Sequence, residues 1–412
     1  MNSRISLSGT EPTDSQSAEI AFKLASLWLA RGKTEQAIAG YRKVLAISPD
    51  HQQAALHLDY LLRQQQYPQS TQSNPQGNPQ GKISLLYQKS FASHRCGWNF
   101  AIHALQPLHN RDGILFDGYL ESSFLWKDRP PGKVQVPYTQ PWVGFLHSPP
   151  NIPKWFYYKD SPQALFALPA WKESLKYCVG LFCLSQYHAQ WLRQHTHQTI
   201  SALIHPTEIP AAQFDFDKFV SNPRKKIVQL GWWLRKLTAI YQLPIAASTA
   251  TSNLLGYEKI KLNPAFATDA EKQIKALELK ELAAESVILD PELLYNTREM
   301  SHISNNEYDM LLTCNIAFIA LHDSSANNAV IECIARATPL LINPLPAVVE
   351  YLGKDYPMYF YTLSEAAQKA QDLDLIKLTH EYLKGCETRQ KLSADYFCTS
   401  FKNSAVYQKI EG

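Results

Sequence analysis

Beyond residue 81, short apolar runs alternate with longer stretches of helical periodicity, and this alternation restricts the possible folds more than any other feature of the chain. It is typical of parallel sheets with helices on both faces. Two such series occur, separated by a Pro-containing, charged segment at 205–224. We therefore predict an α/β fold with two doubly wound, Rossmann-like domains facing a cleft, at 82–212 and 213–365. The expected strands lie at 83–87, 113–116, 143–146, 179–184 and 202–204 in the first series, and at 226–230, 258–262, 315–321, 340–342 and 358–360 in the second.

The N-terminal segment has the pattern of two amphipathic helices, at residues 18–51, with a tight turn at Gly32. Small residues recur where the helices would cross, and this arrangement resembles the tetratricopeptide (TPR) repeat. One repeat cannot bury its own apolar face, so a third helix at 52–65 is expected to cap it. We predict a small all-α, TPR-like segment at 1–66. It is either a helical hairpin packed on the rest of the protein or a groove for a protein partner.

Two further regions complete the predicted organisation. Residues 67–81 are rich in Gln, Asn, Pro and Gly and have no apolar periodicity, which indicates a flexible linker. Residues 366–412 are predicted to form a helical tail that crosses back to the first domain.

Composition excludes several classes of protein. A net charge of +3 over 412 residues gives no reason to expect a nucleic-acid partner. No apolar run approaches the roughly 18–20 residues of a membrane span, and the first residues lack an apolar signal core. The 7 cysteines form no C-x-x-C pair, which is typical of reduced cysteines in a cytosolic protein. We expect a cytoplasmic protein, with peripheral membrane contact left open.

Polar residues cluster at two strand ends of the second domain. Gly231, Arg235 and Lys236 follow the strand at 226–230. After the strand at 315–321, a polar loop leads into a helix that carries Glu332. Exposed N–H groups and the positive end of a helix dipole can hold a phosphate there. The polar residues of that loop and helix start are Asp323, Ser324, Asn327 and Asn328.

This order of residues resembles the nucleotide-binding half of GT-B glycosyltransferases, in the retaining group related to sucrose and glycogen synthases. The resemblance implies a hexosyltransferase-type enzyme that moves a sugar from a nucleoside diphosphate sugar to an unknown glycan, lipid or protein acceptor, without metal or other cofactor. It also implies that Arg235 and Lys236 neutralise the diphosphate and that Glu332 holds the ribose. The family's leading Glu falls on Ser324 here, with Asp323 beside it.

The first domain supplies weaker signals. His147 follows the strand at 143–146, where the family places a histidine beside the transferred sugar. There it would donate to a sugar hydroxyl, or act as a base if the reaction inverts. Gly97 and Trp98 belong to a loop at 93–99 that resembles the family's first acceptor-side loop.

Alternatives remain at each position. Arg235 and Lys236 also fit solvated cations at a helix start, Asn327 and Asn328 fit helix caps, and His147 fits a structural histidine. For the whole chain the rivals are a TPR adaptor with an inactive transferase-like part, which Ser324 favours, and a nucleotide-sugar epimerase. For the Glu332→Ala substitution, the family role predicts weaker donor binding with a nearly unchanged melting temperature.

Overall fold

The computed structural model describes residues 14–30, 33–49, 51, 54, 57–58, 61–62, 80–86, 97–126, 135–245, 256–262, 268–289, 296–301, 303 and 305–410. The chain divides into two compact units, Met1–Ser73 and Asn74–Gly412. This division falls within the predicted linker at 67–81, of which only residues 80 and 81 are described.

The N-terminal unit contains a helical hairpin. Helix α1 spans Asp14–Ala30 and helix α2 spans Thr34–Ile47. Small residues allow close approach, since a Cβ atom on Gly40 would lie 2.7 Å from that of Ala25. The expected turn residue Gly32 and most of 52–65 lie outside the described residues, so the TPR assignment stays a prediction. The buried side chains of the unit are Ala18, Ala25, Ala37, Ile38, Tyr41, Val44, Ala54 and Leu61.

The first sheet of the second unit has five parallel strands in the order β1-β2-β3-β4-β5. Together with the helices that connect them, these strands form what we call the first lobe. The strands are Ile83–Ser84, Ile114–Asp117, Trp142–Phe145, Cys178–Cys183 and Ile200–Ala202. The helices α3 to α7 are Trp98–Ala104, Leu120–Phe124, Pro162–Ala167, Pro169–Ser174 and Gln186–His195. Short 3-10 turns occupy Gln106–Leu108, Tyr158–Asp160 and Leu175–Tyr177.

The second sheet also has five parallel strands, in the order β10-β9-β6-β7-β8, and defines the second lobe. From β6 the chain moves outward to β7 and β8 and then returns to β9 on the other side of β6. Ligands in such sheets lie at the carboxyl ends of the strands, where the direction changes. The crevice between the ends of β6 and β9 is therefore the expected site. The strands β6 to β10 are Lys226–Leu230, Glu258–Leu262, Thr297–Met300, Ile316–Ile319 and Leu340–Ile342. The helices α8 to α13 are Phe216–Ser221, Ala239–Gln242, Thr268–Glu285, Asn305–Thr313, Asn328–Arg336 and Pro346–Leu352.

The C-terminal helices pack against the first lobe. The ring of Phe401 stacks on that of Phe182 in β4, with centroids 4.5 Å apart. The chain thus passes between the lobes twice, and the two crossing segments are joined where Thr207 N donates to Leu392 O at 2.9 Å. The helices α14 to α18 are Leu363–Gln371, Leu373–Gly385, Glu387–Gln390, Ala394–Lys402 and Ala405–Gln408.

The two parallel sheets with their helices confirm the predicted α/β class. The strands at 226–230, 258–262 and 340–342 are as predicted, but β1 ends at Ser84 rather than at 87. The expected strand at 358–360 is reduced to an isolated parallel bridge between Tyr359 and Ile342, with hydrogen bonds from Ile342 N to Met358 O and from Phe360 N to Ile342 O. Strand β8 escaped prediction because most of its residues are polar. Within the described part of the chain, no helix is long and apolar enough to span a membrane.

Candidate functional site

The end of β6 and the start of α12 meet through Arg235. Gly231 turns the chain after β6 with a φ of +73°. The Arg235 side chain is 7% exposed and folds back over this turn. Its Nε donates to Leu230 O at 3.0 Å, its Nη1 to Trp233 O at 2.6 Å and its Nη2 to Asn327 Oδ1 at 3.1 Å. A fixed guanidinium therefore lies in the crevice that the strand order singles out.

Asn327 caps helix α12. Its Oδ1 accepts from Ala329 N at 3.1 Å and from Val330 N at 3.3 Å. The cap interpretation of Asn327 is thus correct, and Asn328 begins the helix as a half-buried residue. Because the cap oxygen also accepts from Arg235, the positive end of the helix and a cation share one corner of the fold.

Lys236 points to a different group of side chains. Its Nζ lies 3.5 Å from Glu285 Oε1, and its backbone N donates to Ala320 O at 2.8 Å. Among the described residues, Glu281, Glu285 and His322 each place a possible metal-ligand atom within 4.8 Å of the others. These atoms already have protein partners, since His322 Nε2 lies 3.0 Å from Glu281 Oε1. The two predicted phosphate cations are therefore not brought together, and Arg235 is the one at the crevice.

Asp323 joins the two lobes. Its Oδ2 accepts from Asn151 N at 2.7 Å and from Tyr187 OH at 3.2 Å, both in the first lobe. Its Oδ1 accepts from Ser324 N at 2.9 Å, and both residues are buried. Burial raises the pKa of Asp323. Asp323 is the acidic residue beside Ser324, which stands where the family has its leading Glu. Its carboxylate therefore binds residues of the other lobe.

Glu332 lies on α12 and faces α11. The Tyr308 hydroxyl donates to Glu332 Oε2, and Glu332 is only 6% exposed. One turn later, Arg336 Nη2 lies 2.5 Å from Asp309 Oδ1. Burial, with the negative charge of Glu332 as a second cause, raises the pKa of Tyr308. Glu332 therefore belongs to a buried polar network as well as to the predicted ribose position.

His147 is held by the loop that follows β2. Its Nε2 donates to Gly118 O at 2.9 Å. Tyr119 stacks on its face at 4.1 Å and 10°, and Trp98 meets it edge-on at 4.5 Å. Burial lowers the pKa of His147 to about 3, so the ring is neutral near pH 7. With Nε2 protonated, Nδ1 is an acceptor, which corrects the expectation that His147 donates to a sugar hydroxyl.

The acceptor-side loop is described only from Gly97 onward. Gly97 precedes α3 with an extended backbone, at φ −74° and ψ 161°, so it needs no special backbone freedom. Trp98 is 5% exposed and contacts both His147 and His205, the latter with centroids 5.6 Å apart. The structure thus brings Trp98 and His147 together.

Further contacts across the lobes were not predicted. Glu350 on α13 accepts from the backbone N–H groups of Gln186 and Tyr187 at 2.6 and 2.5 Å, which caps helix α7 of the other lobe. Nearby, His188 Nδ1 lies 3.0 Å from Ser325 Oγ. A carboxylate far away in sequence gives no local signal of such a role, so only the tertiary structure reveals it.

No protein-family model matches the sequence, and no curated protein matches it either. Solved structures with a similar fold include an α,α-trehalose-phosphate synthase (UDP-forming) from Burkholderia vietnamiensis, at 14% identity and a TM-score of 0.46, covering 73% of this chain and 74% of that one. HepE from Anabaena in complex with UDP and glucose has 10% identity and a TM-score of 0.45, covering 63% and 70%. A mutant of TarM from S. aureus in complex with fondaparinux, α-GlcNAc-glycerol and UDP has 12% identity and a TM-score of 0.41, covering 64% and 50%. At such identities and scores, these similarities decide neither the activity nor the site residues of this chain.

Proposed function

We propose that the protein is a GT-B glycosyltransferase that moves a sugar from a nucleoside diphosphate sugar to an acceptor. The observation that supports this most is the contact between Arg235 and Asn327 in the crevice between β6 and β9. A guanidinium beside a helix N-terminus suits a diphosphate, because the fixed cation and the positive end of the helix dipole both favour negative charge.

The chemistry of the leaving group fits this corner. When the bond between sugar and diphosphate breaks, negative charge grows on the phosphate oxygens. Arg235 is held by three hydrogen bonds and is almost fully buried. Its guanidinium therefore does not need to move as negative charge develops on the phosphate. Gly231 leaves room there, since a Cβ atom would lie 3.3 Å from Arg235 Nη2. We infer from this that the reaction proceeds without a metal ion.

Glu332 and His147 are the proposed contacts on either side of the diphosphate. A carboxylate has about four acceptor positions, so Glu332 would accept from a ribose hydroxyl in addition to Tyr308. His147 would accept a hydrogen bond from the transferred sugar through Nδ1. We propose retention of configuration, as in the group that the sequence resembles.

The loops that carry these residues are already in contact. Asn151, which lies four residues beyond His147 in the same loop, donates its backbone N–H to Asp323 in the loop after β9. This contact supports one shared crevice for the sugar and the diphosphate. We further propose that 82–212 and 213–365 act as two domains with 366–412 as the crossing tail.

The N-terminal hairpin is the proposed protein-binding element. We propose that 1–66 is TPR-like and that it binds an acceptor protein or another protein partner. A cytoplasmic location is also proposed, and it agrees with the thiols at Cys178, Cys183, Cys314, Cys333, Cys386 and Cys398 being free.

A second candidate is an adaptor whose transferase part is inactive. It is favoured by one specific observation: Ser324 replaces the family's leading Glu, and the neighbouring Asp323 carboxylate is engaged by Asn151 and Tyr187. In that case the crevice would have lost its group beside the sugar, and only nucleotide binding would remain.

One screen separates these possibilities. The full chain is incubated with UDP- and GDP-sugars, and release of the nucleoside diphosphate is measured with Arg235→Ala as the control. We expect release from at least one donor, together with a rise in melting temperature on adding UDP or GDP. Nucleotide stabilisation without release would favour the adaptor. The absence of both stabilisation and release would overturn the transferase proposal. A new nucleotide sugar formed without acceptor would indicate an epimerase.

A further inference from the structure

Glu121 is a buried carboxylate that holds the backbone beside His147. It lies in the first turn of α4, just after the loop that follows β2, and is 1% exposed. Its Oε1 accepts from the backbone N–H groups of His147 and Ser148, each at 2.7 Å. Its Oε2 has no hydrogen-bond partner within the described part of the chain. A side chain buried in this way must have a strong reason to carry a polar group at all.

Three residues between the end of β2 and the first turn of α4 fix the histidine. The carbonyl of Gly118 accepts from Nε2 and so selects the tautomer. The ring of Tyr119 lies parallel to the imidazole and so defines its plane. Glu121 then fixes the backbone that carries the ring, through two adjacent N–H groups. After these contacts, Nδ1 is the ring nitrogen that remains for a ligand.

We propose that Glu121 is a positioning residue for glycosyl transfer, acting through the backbone of His147 rather than by touching the substrate. This inference rests on the proposed function, in which His147 Nδ1 meets the transferred sugar. It assigns to α4 a task that the sequence did not suggest.

A carboxylate suits this task better than its neutral analogues. An anionic oxygen accepts two N–H groups through charge-assisted bonds, which are stronger than neutral ones. An amide at this position would keep the acceptor oxygen but would bring an NH2 group to the place where Oε2 has no partner. Alanine would leave both backbone N–H groups without an acceptor.

The charge of Glu121 also changes in an accessible pH range. Burial, with Asp117 as a smaller cause, raises the pKa of Glu121 to about 7. Since burial lowers the pKa of His147 to about 3, the histidine does not titrate in that range. The titratable groups around this loop are Asp117, Tyr119, Tyr138, His147, Asp160, His188 and His205.

The first test follows the tautomer of His147 by NMR with 15N-labelled histidine in the full chain. Its signals are assigned with His147→Gln. In the wild type at pH 8, where Glu121 is ionised, we expect the neutral, Nε2-protonated tautomer. In Glu121→Ala we expect mixed tautomers and a pKa that moves up toward the ordinary value. The proposal is overturned if Glu121→Ala and Glu121→Gln both leave the tautomer and the pKa of His147 unchanged.

Glu281→Gln is the matched control for the loss of a buried carboxylate. Glu281 is fully buried in the second lobe and accepts from the adjacent N–H groups of Leu237 and Thr238 at 3.0 and 2.8 Å. Glu281→Gln should lower the melting temperature about as much as Glu121→Gln does, while leaving the His147 signals unchanged. A shift of those signals in Glu281→Gln would show that they report general loosening, and the proposal would lose its support.

The second test uses turnover. Loss of geometry at a reacting group costs about 10- to 100-fold in rate, so Glu121→Gln should lower kcat by that factor without changing the affinity for UDP or GDP. Wild-type kcat should show an ionisation near pH 7 that the variant lacks. If kcat and its pH profile are the same in both, Glu121 does not position the reaction. If the wild type neither binds nucleotides nor turns over a donor, the proposed function fails, while the NMR result still decides whether Glu121 fixes His147.

Discussion

Arg235 Nη2 lies 3.1 Å from Asn327 Oδ1, so a single hydrogen bond joins the end of β6 to the start of α12. The same oxygen accepts from the N–H groups of Ala329 and Val330. The residues that position the cation therefore also position the helix terminus. A diphosphate would meet both groups without either having to move.

Arg235 and Lys236 can be separated experimentally. We expect Arg235→Ala to weaken UDP or GDP binding by about 10- to 100-fold, because hydrogen bonds to charged groups contribute about 1.5–3 kcal/mol. Arg235→Lys should also lose affinity, since an ammonium cannot reach Leu230 O and Asn327 Oδ1 together. Lys236→Ala should have the smaller effect, because Lys236 pairs with Glu285 instead. Isothermal titration calorimetry measures all three, and equal losses for Arg235→Ala and Lys236→Ala would contradict the assignment.

The turn at Gly231 makes a second prediction. A φ of +73° costs a residue with a side chain roughly 1–2 kcal/mol. In Gly231→Ala the added methyl would also press toward the Arg235 guanidinium. We expect a lower melting temperature and weaker nucleotide binding. Gly385→Ala is the control, since nothing lies within 4 Å of a Cβ atom there, and it should be neutral in both assays.

Glu332 is expected to affect stability as well as binding. The prediction from family resemblance is a nearly unchanged melting temperature in Glu332→Ala. From the structure we expect a lower melting temperature instead, because the variant would leave the Tyr308 hydroxyl without its buried acceptor. The lost hydrogen bond would cost about 1–3 kcal/mol of stability. Tyr308→Phe removes the donor and leaves the carboxylate. Thermal unfolding with and without UDP should show lost stability in both variants and lost nucleotide stabilisation only in Glu332→Ala.

The buried His188 and His205 and the half-buried His147 should make stability sensitive to acid. Burial lowers the pKa of His147 and His188 to about 3 and that of His205 to about 4. An unfolded histidine takes up a proton near pH 6.5. From about pH 6.5 down to about 4, the unfolded state therefore binds more protons, and the free energy of unfolding falls as pH falls. Each histidine contributes at most about 1.4 kcal/mol per pH unit in that range, and about half as much at pH 6.5, where the unfolded histidine is half protonated.

Glu121 acts in the opposite direction. Its folded pKa of about 7 exceeds the ordinary value, so its contribution to stability is present at low pH and is lost as pH rises from about 4.5 to 7. Urea unfolding at pH 5, 6 and 7 measures the sum of these effects. His188→Gln should reduce the mean slope between pH 5 and 7 by about 1 kcal/mol per pH unit, whereas His197→Gln, at an exposed site, should leave it unchanged. Equal slopes in wild type and His188→Gln would disprove the account.

The cap that Glu350 provides to α7 can be tested by hydrogen exchange. Its carboxylate accepts from the backbone N–H groups of Gln186 and Tyr187. In Glu350→Ala we expect these two amides to exchange faster, because helix N-terminal donors without a partner open readily. The start of α5, which Ser161 caps within the same lobe, is the internal control. Unchanged exchange at Gln186 and Tyr187 would mean that the lobes are held by other contacts.

The sequence predicted the parts of the fold that local patterns determine. Strands β6, β7 and β10 follow directly from apolar runs, whereas β8 has too many polar residues to stand out. Gly231, Arg235 and Asn327 were singled out by their places after a strand and at a helix start together with the family resemblance, and the structure brings Arg235 and Asn327 into contact. Glu121 and Tyr308 were not found, since their roles depend on partners 26 and 24 residues away in the chain. The direction in which Lys236 points was likewise decided by Glu285 on another helix.

The paired crossing segments between the lobes limit how the molecule can move. Because Thr207 N donates to Leu392 O, the two connections lie side by side, and we expect them to act as a double hinge. Two adjacent connecting segments allow the lobes to rotate about the line through both segments and resist rotation about other axes. If the chain transfers a sugar as proposed, each closing movement would return the imidazole of His147 to the same place relative to Arg235.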